Sequence, residues 1–156
     1  MGPRRIVTGI VDGRSTLISD GQVNTDAPKF WHELWTAGPD NPQGSAPDPA
    51  AVAADPNLDP GVTALRLIEL PPYRVVLEML AKIKQDVTDG AGFHATTTLD
   101  YVLMLDGPVE LALEDGSTVQ VNAGDVVVQQ SAMHAWRNHN DHPVRMLAVM
   151  VGVPKP

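Results

Sequence analysis

Three side chains in the second half of the chain have the types used by a metal centre or a proton-transfer site: His94, Asp100 and His134. In the extended run from His94 to Met104, "HATTTLDYVLM", alternate residues share a face, which puts His94, Thr96, Thr98, Asp100, Val102 and Met104 together. That face is polar at its start and apolar further on, the pattern of a barrel with an open mouth and a packed base. In "QQSAMHAWRN", His134, Trp136 and Asn138 share one face of a second strand. If that strand closes the barrel beside the first, His134 approaches His94 and Asp100. Two imidazoles and a carboxylate suit a first-row divalent metal with open coordination positions. The same groups, with Thr96, also suit a metal-free network in which His–Asp hydrogen bonds satisfy buried polar atoms. The residues alone leave both readings open.

Four further side chains are pocket candidates without an assigned catalytic role. Thr96 and Thr98 lie on the His94 face, and Trp136 shares the face of His134 and can wall the pocket. His32 stands between aromatics in "FWHELW" and could reach the barrel mouth, although a satisfied structural histidine is the commoner role. His139 and His142 flank a turn and are expected in solvent, while Tyr101 has the parity of the opposite face. No phosphate-binding glycine loop or nucleophile elbow occurs. The chain has no cysteine, so any metal must be held by imidazole and carboxylate. Its formal net charge of −8 repels phosphate backbones and argues against nucleic acid as a partner. Met146–Val153 is too short to cross a bilayer, the N-terminus has no apolar signal core, and Ile6 spoils a myristoylation site. A cytoplasmic protein without membrane contact is the expectation.

The elements that must position these residues are mostly strands. With 156 residues the chain suits one structural domain. "RIVTGIV" and "STLIS" are β-rich pieces around Asp12-Gly13-Arg14, a hairpin signal, and Phe30 to Ala37 alternates as a third strand. Residues 38–62, rich in Pro, Gly, Ala and Asp, read as a long surface loop that is an inert insertion more readily than a lid. "VTALRLIEL" reads as a strand stopped by Pro71-Pro72. Val76, Leu80, Ile83 and Val87 then recur at helical spacing, predicting an amphipathic helix over about 73–87 with Met79 and Leu80 as packing residues. From His94 onward, short strands alternate with turns at Asp106-Gly107, Asp115-Gly116 and Ala123-Gly124-Asp125, the pattern of a sandwich or barrel. The division expected is an N-terminal extension over 1–91 and a barrel core over 92–156. The strand around Tyr101 is apolar on both faces, so its outer face also needs a cover. With the β-rich arm, this predicts a symmetric homodimer in which the arm covers the neighbour's sheet.

Gly92-Phe93-His94-Ala95-Thr96, then Asp100-Tyr101 and Gly107, resembles the first cupin motif, and Ala123 to Asn138 resembles the second. "RRIVTGIVDGRSTLISDG" and the helix before His94 resemble the extension of a subgroup of small bacterial cupins, many of them without an assigned activity. The resemblance implies an all-β fold, the cupin double-stranded β-helix (a jelly-roll-like barrel), with an N-terminal β extension and one amphipathic helix. A metal-binding cupin offers His-x-His, a Glu and a later His. Here Thr96 replaces the second His, Asp100 stands for the Glu, and a Pro and a Gly of the second motif are missing around Gln129, Gln130 and Ser131. At most three ligands remain: His94, Asp100 and His134. The function this implies is a metal-dependent enzyme (Zn, Fe, Mn or Ni) on a small organic acid or carbonyl compound. Decarboxylation, dehydration or isomerisation through an enolate-like charge would suit it. The alternatives are an Fe(II) oxygenase and a metal-free small-molecule-binding or accessory protein.

Overall fold

A computed structural model describes residues 2–24, 30–47, 56–83 and 91–154. The chain opens on a hairpin of β1 (Arg4–Val11) and β2 (Arg14–Gln22). Asp12 and Gly13 form its turn with φ of 50° and 75°, the double left-handed conformation that matches strand twist. Next come β3 (Trp31–Gly38), β4 (Asn41–Ser45), β5 (Thr63–Leu70) and the helix α1 (Tyr73–Lys82). Six strands follow: β6 (Thr98–Met104), β7 (Val109–Leu113), β8 (Thr118–Val121), β9 (Val126–Gln130), β10 (His134–Arg137) and β11 (Val144–Gly152).

Apart from the hairpin, the strands form two antiparallel sheets: six strands in the order β4-β3-β5-β11-β6-β9 and three in the order β10-β7-β8. Alternation decides what lies between them. The inward residues of β6 and β11 (Val102, Met104, Val144, Met146, Ala148, Met150) meet Val109, Leu111 and Val121 of the small sheet in one core. Among the described residues the fold is therefore all-β, with the strand order of a double-stranded β-helix and a single helix.

Three features depart from the reading of the sequence. Residues 41–45, expected within the long loop, form β4 instead. Its pairing with β3 is held by a bond from Trp35 Nε1 to the Gln43 carbonyl (3.1 Å). Strands β3 to β5, assigned to the extension, hydrogen-bond into the large sheet, because β5 takes the place beside β11 along its whole length. The helix docks through its first turn, where Tyr73 N donates to the Asn138 carbonyl (2.6 Å). Its later turns lie further out, so Met79 is exposed rather than packed and Ile83 is 64% exposed. Val87 and residues 48–55 of the 38–62 stretch lie outside the described residues.

Asn138 of the second motif has a structural role. It is buried, and its Nδ2 donates to the Leu70 and His142 carbonyls (2.9 and 2.8 Å), tying the end of β5 to the turn before β11.

Candidate functional site

The site grows from two strand ends. Thr96, Thr98 and Asp100 enter the barrel from the start of β6 and are all buried, as the alternation of "HATTTLD" predicts. His134 is the first residue of β10 and also buried; His94, two residues before Thr96, is exposed at the rim. An isolated antiparallel bridge joins the two, His94 N donating to the His134 carbonyl (2.9 Å) and His134 N to the His94 carbonyl (3.0 Å). Their rings stand 4.4 Å apart, tilted by 51°. The backbone bridge thus sets one imidazole in solvent against another in the interior.

Both rings are oriented in the same way. His94 Nδ1 lies 2.9 Å from the Gly92 carbonyl and His134 Nδ1 lies 2.8 Å from the Ala132 carbonyl. A carbonyl accepts only, so each Nδ1 carries the hydrogen and each Nε2 keeps its lone pair. The Gln129 amide, inward-facing on β9, meets the same Nδ1, which it satisfies only with its carbonyl oxygen turned to that N–H. Burial pulls the His134 pKa from 6.5 to about 4, with a further lowering by His94, against a hydrogen bond to Ala132 that favours the charged form. His134 is neutral at physiological pH.

Asp100 faces inward opposite Gln129 on one side and Met150 on the other. Burial pushes its carboxyl above the usual carboxylate range, against the opposing pull of a hydrogen bond from Thr98 and the charges of Arg66 and His94. Thr98 in turn lies 2.7 Å, hydroxyl to hydroxyl, from Thr96. Asp100 Oδ1 is buried and has no hydrogen-bond partner. An acceptor so placed is costly unless a donor, a cation or a proton meets it.

The donor chemistry fits a divalent ion: two imidazoles with free Nε2 lone pairs and an orphaned buried carboxylate oxygen. The grouping is looser than the chemistry. Among the described residues, no set of three His, Asp or Glu side chains converges closely enough to hold a metal ion. The structure brings His94 and His134 together, while Asp100 is buried on β6 and does not converge with them as a set of three.

The other candidates divide. Thr96 and Thr98 line the interior beside Asp100, and Trp136 stands edge-on to His134 with ring centroids 6.3 Å apart. His32 does not belong with them. It pairs with Leu67 on the outer face of the sheet, whereas its neighbours Trp31 and Glu33 point inward against Arg66. Strand parity carries it away from the mouth, and it is buried on that outer face.

The sequence reading overlooked Arg66. It is 3% exposed, donates from Nε and Nη2 to Glu33 Oε1 (2.9 and 2.6 Å) and from Nη1 to the Pro56 carbonyl (2.8 Å), and lies over the Trp31 ring. The barrel thus holds a cation between two carboxylates, Glu33 and the more distant Asp100. The signal available was a single arginine in an otherwise apolar strand, "TALRLIEL", with the inward parity of Ala64 and Ile68. Gln129 was legible by the same count. An open cleft of about 680 Å³ runs past Phe93, Leu113, Thr118, Met133 and Arg137, beside the histidine pair rather than at it.

No family model matches the chain. It is 31% identical over 81 residues to the phomopsin biosynthesis cluster protein C' of Diaporthe leptostromiformis, covering 52% of this chain and 35% of that protein. It is 33% identical over 61 residues to the cupin-domain-containing oxidoreductase virC of Hypocrea virens, covering 37% of this chain and 31% of that protein. A solved cupin 2 conserved barrel domain protein from Salinispora arenicola aligns with a TM-score of 0.45 at 18% identity, over 78% of this chain and 73% of that one. The chain resembles the small cupins. It spans about a third of the length of the curated relatives it matches. Among the described residues, no helix is long and apolar enough to cross a membrane.

Proposed function

We propose that the chain is a cupin-type enzyme acting on a small organic acid or carbonyl compound, with a divalent metal ion at His94, His134 and Asp100. The observation that carries this reading is the orientation of the histidine pair. Both Nδ1 hydrogens are committed to backbone carbonyls, so both Nε2 lone pairs are left to a ligand, and the nearby Asp100 Oδ1 lacks a partner. A bound ion would supply Lewis acidity to a substrate oxygen.

The chain's own residues contribute the rest. Asp100 would give its partnerless Oδ1 to the ion, while its other carboxylate oxygen keeps the hydrogen bond from Thr98. Thr96 and Thr98 offer hydroxyls that donate or accept beside it. Neutral His134, its ring oriented by the Ala132 carbonyl and walled by the edge of Trp136, keeps its Nε2 for the ion. The exposed His94 marks the side from which a small molecule enters. A carbonyl or carboxylate held between the ion and these hydroxyls would have its developing enolate-like charge stabilised, as decarboxylation, dehydration or isomerisation requires.

A second reading is an oxygen-dependent oxidoreductase using Fe(II): the virC relative is an oxidoreductase by name, and two His with one carboxylate suit Fe(II). Elemental analysis of protein purified without added metal, with calorimetric titration of Zn²⁺ and Ni²⁺, tests both. About one ion per chain, lost in His134→Ala, is expected. Iron as the bound metal, with substrate-dependent oxygen uptake, supports the second reading over the first. Failure to bind any divalent ion overturns both and leaves a metal-free binding or accessory protein.

A further inference from the structure

Residues 56–62 form a strap at the mouth end of β11 and β6, held differently at its two ends. At the base, Gly61 N donates to the Gly152 carbonyl (3.0 Å) and Gly152 N to the Val62 carbonyl (2.8 Å). The backbones run so close that a Cβ at position 152 would collide with the Asp59 carbonyl. The tip reaches inward instead. Leu58 packs against the core, and Asn57 Oδ1 accepts from Thr97 N and Oγ1 (2.9 and 3.1 Å). The Pro56 carbonyl accepts from Arg66 Nη1 (2.8 Å). The strap thus puts one carbonyl and one branched apolar side chain into the interior.

Arg66 is built to hold more than its ion-pair partner. Glu33 Oε1 takes Nε and Nη2 and neutralises the charge, while Nη1 turns to the Pro56 carbonyl and to Met150 Sδ (3.2 Å). Met150 is the register partner of Asp100, so Nη1 reaches the strand beside the candidate site. The Trp31 ring lies 5.4 Å from the guanidinium, and its Nε1–H is buried with no acceptor among the described residues. A buried donor without an acceptor is costly until an oxygen meets it. The oxygen suited to this corner is neutral. Glu33 already balances Arg66, and Asp100 stands one strand beyond, so a further carboxylate would bring surplus negative charge into a low-dielectric interior. The acceptor now in place is itself an amide carbonyl.

Given the reading of the barrel as a site for a small carbonyl compound, we infer that Arg66 Nη1 is a ligand-binding position for a neutral carbonyl oxygen beside a branched apolar group. The Pro56 carbonyl and the Leu58 side chain are the stand-in that this ligand displaces. Arg66 therefore selects for an uncharged oxygen, and Asn57, by mooring the strap to Thr97, sets how readily the position opens.

The probe is methyl isobutyl ketone, titrated into the full chain in a chelator and followed by NMR of the arginine side-chain N–H groups. The Arg66 Nε–H signal is identified by its loss in Glu33→Leu with Arg66→Met, which removes the pair without stranding a charge. The ketone is expected to shift that signal saturably and to speed exchange of the Thr97 amide hydrogen as the strap tip is displaced. Isocaproate, a carboxylate of the same shape, is expected to bind at least about tenfold more weakly. Asn57→Ala, at an exposed position, loosens only the mooring and is expected to raise ketone affinity about fivefold. Absence of a ketone-dependent shift, equal or tighter binding of isocaproate, or an unchanged affinity in Asn57→Ala each overturns the inference. Because the chelator removes any ion, these outcomes are separate from the metal titration: a chain that binds the ketone but no Zn²⁺ loses the proposed ion and keeps this position.

Discussion

Lowering the pH should expose the cost of keeping His134 neutral. Its pKa falls from 6.5 in the unfolded chain to about 4 in the fold because the imidazole is buried, with His94 adding to the shift. Between those values the unfolded state binds a proton that the folded state refuses, so stability drops as pH falls through the window from 6.5 towards 4. The full difference is worth about 3 kcal/mol, of which about 2.5 kcal/mol is lost by pH 4.5. Asp100 acts in the opposite sense. Its raised pKa means protonation relieves the fold, so stability from this group increases as pH falls towards its folded value. The two are separated by comparing wild type with His134→Gln, whose amide cannot titrate. Urea unfolding followed by circular dichroism at pH 7 and 4.5, in a chelator, should show the variant gaining about 2.5 kcal/mol relative to wild type on acidification. Parallel losses in the two proteins, agreeing within about 0.5 kcal/mol, would refute the assignment of His134 as a buried neutral base.

Two other perturbations test the scaffold. Glu33→Ala strands the buried Arg66 guanidinium and should cost about 3–5 kcal/mol, whereas Glu33→Leu with Arg66→Met should cost much less; urea midpoints decide, and equal losses would contradict the pairing. Ser131 stands at φ 51° and donates from Oγ to the Thr98 carbonyl (2.9 Å). Ser131→Gly should stay within about 1 kcal/mol of wild type, because backbone relief offsets the lost hydrogen bond, while Ser131→Val should lose about 1–3 kcal/mol in the same assay.

The inward row of β6 was legible because a strand's period is two: once "HATTTLDYVLM" is extended, Thr96, Thr98, Asp100, Val102 and Met104 must share a side. The Asp12-Gly13 turn was legible because few residues adopt two left-handed conformations in succession. The same alternation announced that Tyr101 and Leu103 would face outward, and the structure leaves them bare. Parity cannot say which strands become neighbours, and that choice decided the rest of the site. The bridge between His94 and His134 joins residues 40 apart, and their shared ring orientation comes from carbonyls that the bridge positions. Arg66 and Glu33 met only because β5 inserted between β3 and β11. His32 was lost to the pocket for the same reason: the neighbour of Trp31 and Glu33 must point away from whatever they touch. By itself the sequence determined which side chains travel together on a strand, since alternation is a local property of the backbone. Only the tertiary structure decided which of those sets would face one another, since strand order is set by long-range hydrogen bonding and the burial it permits.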